Sequence, residues 1–249
     1  MATVLMALAG ALAVSGCETN AERSAKLEKE RLAHPVAVQK GLVVTRESPH
    51  VKVVEAVAVH DENGTAVVVS LRNTSTGALR NTPIAISVSD AAGRTLYQNN
   101  APGLDPTLVS VPLLEPGRET VWVDDQIPTT ATAPARVNAR VGEPTAVGGQ
   151  PGQPANSSGA TPQLSVRGVH VFEDPSNGVG EEGTVLNASK VTQQKLVVYA
   201  VGRRAGRIVA AGRAVLPEVP AGQSTPFQVF FIGNPRGTQL QVSAPASTL

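Results

Sequence analysis

Aromatic residues make up only 3% of this 249-residue chain, and there is one cysteine. The first shortage means that any core must be assembled from Val, Ala, Leu and Ile. The second rules out an internal disulfide, so burial alone has to stabilise whatever folds. Charge is sparse as well: 16% of residues are charged and the formal net charge is +1. That balance argues against a nucleic-acid binder, because such domains carry a strong basic excess. Histidine is scarce, with four residues, His34, His50, His60 and His170, and no two stand at metal-ligand spacing. No Gly-x-Ser-x-Gly elbow is present, which weakens the case for a serine hydrolase. Neither a cofactor nor a catalytic residue is expected.

What the chain does contain begins with an apolar run of 13 residues, Ala2 to Val14, followed by Ser15, Gly16 and Cys17. Thirteen residues fall short of the roughly 20 that span a bilayer core. They suit the apolar segment of an export signal, about 7–15 residues, although no Lys or Arg precedes the run. Val14-Ser15-Gly16-Cys17 resembles the lipobox of bacterial lipoproteins. The resemblance implies cleavage before Cys17 and a diacylglyceryl group on its sulfur. Residues 1–16 would then be a signal peptide and the mature protein an extracytoplasmic, lipid-anchored envelope protein. Acyl chains contribute about 0.8 kcal/mol per buried CH₂, so two long chains hold firmly.

Residues 17–34 read as a short solvated stalk. Thr19-Asn20-Ala21-Glu22 is a capping box, and Glu22–Lys26 and Lys26–Glu30 are i,i+4 pairs of opposite sign. Pro35 stops the helix.

From residue 35 the pattern changes to period two. Val51, Val53, Val57 and Val59 alternate with other residues, as do Val67, Val69 and Leu71, then Ile84, Ile86 and Val88. Asp61-Glu62-Asn63-Gly64 and Asp90-Ala91-Ala92-Gly93 punctuate them as turns. Short strands at this spacing predict an all-β fold, with one antiparallel sandwich over residues 35–142. Residues 143–163 are rich in Pro, Gly and Ser and read as a linker, about 25 Å long on average. A second sandwich is expected over residues 164–249, folding by itself when expressed alone.

The second half repeats the first. Asn73-Thr74-Ser75 returns as Asn187-Ala188-Ser189, Ala91-Ala92-Gly93-Arg94 as Arg204-Ala205-Gly206-Arg207, and Pro116-Gly117 as Ala221-Gly222. The first copy has a longer excursion, Gln98 to Pro106. Each of Asn73 and Asn187 ends a strand and is expected to play the same turn role, since Asn mimics a backbone acceptor. The repeated framework resembles the FxLYD family of bacterial extracytoplasmic β-sandwich domains over residues 50–105 and 165–242. At the place of the family's name-motif stand Ile86 to Asp90 and Tyr199 to Arg203. The resemblance implies two tandem immunoglobulin-like sandwiches and brings no catalytic residue.

Several local patterns invite chemistry. Gly178 to Gly183 spells GxGxxG, but Thr184-Val185-Leu186 reads as strand, and Glu181 and Glu182 repel phosphate, so a hairpin turn is expected. His60-Asp61-Glu62 offers too few oxygens for Ca²⁺ and reads as a solvated turn. His170 lies in an apolar stretch and could face the core. Asp124 and Asp125 follow Trp122, but neighbours on a strand point to opposite faces and cannot flank one glycosidic bond. They are expected at an exposed strand end.

Arg203, Arg204, Arg207 and Arg213 cluster around a hairpin, and residues 163–249 carry 8 basic against 5 acidic residues. These arginines are the candidate contact for an anionic partner. The expected function is that of a monomeric, non-enzymatic spacer or protein-interaction module anchored in a membrane. The alternatives are a binding module for an anionic wall polymer and a hydrolase with loop-borne acids.

Overall fold

A computed structural model describes residues 41–128, 132–144 and 162–247. Cys17, the stalk and most of the linker lie outside the described residues. The alternating stretches form antiparallel strands. In the first half β1 (Val51–Asp61) and β2 (Gly64–Asn73) make a hairpin. Its turn is closed by Asp61 Oδ1, which accepts the Asn63 amide at 2.8 Å. Then come β3 (Leu79–Ser89), β4 (Thr95–Gln98), a 3₁₀ turn (Pro106–Leu108), β5 (Ser110–Leu114), β6 (Glu119–Ile127) and β7 (Arg136–Val141). One sheet runs β1-β2-β6; the other centres on β3, paired with β4, β5 and β7.

Val67, Val69, Leu71, Ile84, Ile86, Val88 and Trp122 belong to the buried core of this half. Asn99, in the long excursion, is buried with them. Its amide donates to the Ile84 and Leu108 carbonyls at 2.9 and 2.8 Å and its oxygen accepts the Ile86 amide at 2.7 Å. A side chain thus replaces a strand neighbour and ties the excursion to β3.

The second half comprises β8 (Leu164–Asp174), β9 (Gly178–Asn187), β10 (Gln193–Arg204), β11 (Arg207–Val219), β12 (Ser224–Phe230), β13 (Ile232–Gly233) and β14 (Gln239–Ser243). Its sheets run β8-β9-β12 and β13-β11-β10-β14, with every strand pairing antiparallel. The protein is therefore all-β, as the sequence pattern predicts. Between β8 and β9 the turn again ends in Asn-Gly, Asn177-Gly178, the counterpart of Asn63-Gly64. Between β10 and β11, Ala205 and Gly206 both have positive φ (48° and 79°), the two-residue turn that matches strand twist. Val185, Leu196, Val198, Ala200, Phe227 and Val229 form this half's own core. Gly178 of the GxGxxG stretch, with φ 85°, follows the turn and opens β9. The rest runs along β9, so the expected hairpin turn is in fact mostly strand.

The two halves meet face to face. Eight consecutive residues of β2, Gly64 to Leu71, are buried, which requires cover on both sides of the strand. One side is the core of the first half. Against the other lie β10, β11 and β13, and a single apolar cluster runs across: Val59, Ala66, Val68 and Val123 with Val197, Tyr199, Val201, Ala211 and Ile232. The described residues, from Gly41 on, form one compact unit. The unbroken run Ala66-Val67-Val68-Val69 is the sequence trace of this double burial.

Candidate functional site

The four arginines of the hairpin do not form one patch. Arg203 turns toward the first half, where Nη1 lies 3.0 Å from Glu55 Oε2. Arg213 is buried in the seam. Arg204 and Arg207 remain exposed at the hairpin tip. Arg204 Nη2 donates to the Arg236 carbonyl at 2.6 Å, which brings a third arginine backbone to the tip. Of the four, Arg204 and Arg207 are thus open to solvent, while Arg203 and Arg213 serve the contact between the halves.

Asp124 and Asp125 are not at an exposed strand end. They point to opposite faces of β6, as strand geometry requires, but both faces are covered. Asp124 faces the core of the first half and has no exposed surface. It accepts the Tyr97 hydroxyl at 3.1 Å and the Gln126 amide at 3.0 Å. Burial raises its pKa above the ordinary range, against the pull of those hydrogen bonds. Burial also raises the Tyr97 hydroxyl, with Asp124 adding to the effect.

Asp125 faces the seam. Its Oδ2 accepts the backbone amide of Arg213 at 2.8 Å. The β13 pairing with β11 covers Ala210 and Ala211 and stops short of Arg213. The carboxylate from the first half thus satisfies an edge amide of the second. Burial pushes its pKa up to about 6. The Arg213 side chain crosses the same seam, Nη2 donating to Thr107 Oγ1 at 2.6 Å. Tyr199, fully buried beside it, is held in its neutral form by burial. At the far end of the seam the Gly233 amide donates to Asp61 Oδ2 at 2.7 Å. Gly233 has φ 85°, and a Cβ there would stand 2.7 Å from Val59 Cγ1, so only glycine fits. Asp61 is accordingly a joining residue; the solvated-turn reading of His60-Asp61-Glu62 covers only part of its role. Among the described residues no cluster of His, Cys, Asp and Glu could hold a metal ion.

Asn73 and Asn187 have the same surroundings. Each is fully buried. The Asn73 amide donates to the Gly77 and Leu114 carbonyls at 2.7 and 2.9 Å, and its oxygen accepts the Ser75 amide and hydroxyl at 2.8 and 2.7 Å. The Asn187 amide donates to Val191 and Val219 at 2.8 and 3.0 Å, and its oxygen accepts the Ser189 amide and hydroxyl at 3.1 and 2.6 Å. Each asparagine thus closes an Asx-turn and clamps it to a distant strand of its own half.

His170 faces outward, away from the core. Its Nε2 lies 2.7 Å from Glu182 Oε1, and Gln228 Nε2 donates to Glu182 Oε2 at 2.9 Å. The Gly168 carbonyl at Nδ1 and the Glu182 carboxylate both favour the imidazolium, and its pKa is raised. This trio lines an open groove of about 690 Å³ together with Val215, Pro226 and Phe227.

No family model matches the chain and no curated protein matches it, so the FxLYD resemblance rests on the residues quoted above. Among solved structures the chain is similar to the exo-chitosanase CsxA of Amycolatopsis orientalis, at 13% identity and a TM-score of 0.26, over 76% of this chain and 25% of that one. A complex of a variant of that enzyme with PNP-beta-D-glucosamine matches at 14% identity and a TM-score of 0.27, over 78% and 26%. The chain thus spans about a quarter of the length of that enzyme. Likeness this distant carries no argument about activity.

Proposed function

We propose that this protein is a lipid-anchored component of a bacterial envelope, held outside the cytoplasm by Cys17 and acting without catalysis as a spacer or protein-interaction module. The observation that carries the reading is the 13-residue apolar run closed by Val14-Ser15-Gly16-Cys17. The described head supports it in a second way. Asp124, buried, and Asp125, half-buried, are engaged in holding the fold and the seam, and the asparagines in closing turns. Two halves packed through an apolar seam give a stiff body, which suits a spacer. Labelling with a radioactive fatty acid and fractionating cells tests the anchor. Wild type carries label and stays with membranes, and Cys17→Ser loses both. Equal membrane retention of the two contradicts the proposal.

A second reading, contact with an anionic polymer, is favoured by one observation: Arg204 and Arg207 stand exposed together at the hairpin tip, with the Arg236 backbone adjoining. Arg204→Glu with Arg207→Glu then abolishes retention on a phosphate-bearing polymer column. Undiminished retention excludes it.

A further inference from the structure

Glu181 lies on β9, on the same side of the strand as Val185 and Asn187. All three are fully buried. Its strand neighbours across the sheet are Val171 and Val229. Neither carboxylate oxygen has a hydrogen-bond partner. Counting back from the paired asparagines, the position corresponds to Val67, an ordinary core valine of the first half. A valine site has thus been given to an acid. A buried carboxylate without hydrogen bonds is tolerable when neutral and costly when ionised.

We propose that Glu181 is a proton-operated latch: its neutral acid closes the second sandwich, and its ionisation opens the packing of β9 against the facing sheet. Titratable groups stand on the surrounding strands: Arg167, His170, Glu173 and Asp174 on β8, Glu182 on β9, Lys195, Tyr199, Arg203 and Arg204 on β10, and Arg207, Arg213 and Glu218 on β11; β12 and β14 have none. None of them is a cause of the Glu181 displacement, which comes from burial alone and brings its pKa up to about 7. His170 and Glu182 engage each other on the opposite face of the sheet.

The direction follows from linkage. The closed form holds the proton more tightly than an open, solvated form. The latch is therefore fully closed below the ordinary pKa of 4.5 and weakens as pH rises toward 7, beyond which the change levels off. Between pH 5 and pH 8 the opening equilibrium increases roughly 70-fold. Asp124 and Asp125 also have raised pKa values, but they belong to the first half and the seam.

Amide hydrogen exchange of the full chain at pH 5 and pH 8, corrected for intrinsic rates, tests the latch. Expected is a loss of protection in β9 and β12 of roughly that size, with a much smaller change in β2 and β3. Glu181→Gln, which imitates the neutral acid, and Glu181→Val, which restores the residue of the first half, both remove the loss in β9 and β12. A pH-dependent loss that persists unchanged in Glu181→Val overturns the proposal. So does a Glu181-dependent loss of equal size in both halves, or wild-type protection of β9 that is the same at both pH values.

Discussion

The outer face of β1-β2-β6 and that of β8-β9-β12 are built on the same frame and have opposite fates. In the first half this face presents Val57, Val59, Ala66, Val68, Val121 and Val123, and the second half covers it. In the second half the corresponding rows are His170, Glu182 and Gln228, then Phe172, Gly180 and Phe230. The polar trio satisfies itself. Phe172 and Phe230 meet edge to face at 5.6 Å above Gly180, where a Cβ would fall 2.5 Å from the Phe172 ring. The second face thus covers its own apolar part and leaves its polar groups to solvent. Packing in the seam is head to tail, joining different faces of the two copies.

Exchanging the residues at one equivalent position breaks this contrast most strongly. Val68→Glu gives the first half what the second carries as Glu182. It buries a charge in the seam and should cost about 4 kcal/mol, read from the urea midpoint with a constant slope. Glu182→Val, the reverse exchange on the exposed face, should leave the midpoint where it is. The asparagine clamps, by contrast, should behave alike. Asn73→Ala and Asn187→Ala each strip partners from buried backbone groups and should each cost about 3 kcal/mol. A large inequality between them would mean that the two turns are not equivalent in energy despite their matching geometry. A smaller loss than at either asparagine is expected for Gly180→Ala, which supplies the residue found at Ala66. Phe172 is only partly buried and can swing away, so a loss of about 1 kcal/mol is expected in thermal or urea unfolding.

Much of this architecture is legible in the sequence. Period-two valines mark β1 and β2, and the recurrence of Asn-x-Ser locates both Asx-turns before any coordinates. The seam is harder to read because its contacts are distant in the chain: Arg203 and Glu55 are 148 residues apart. Alternation shows that a strand has two faces, but what covers the second face is a tertiary matter. That is why Asp125 reads as exposed from its neighbours alone and Arg213 as part of a basic tip. Glu181 is an intermediate case. Its parity with Val185 and Asn187 places it inward, yet the surrounding glycines draw the eye to a nucleotide motif that the strand geometry excludes.

Whether the seam or the linker joins the halves can be read in one experiment. A protease site placed within residues 145–161 and cut to completion leaves two fragments, which are then passed through a size-exclusion column with light scattering at micromolar concentration. If the buried contacts of Tyr199, Ile232, Arg213 and Asp125 hold the halves together, the fragments elute as one particle with the mass of the uncut head. Two separate peaks, each with the mass of a single half, would contradict it.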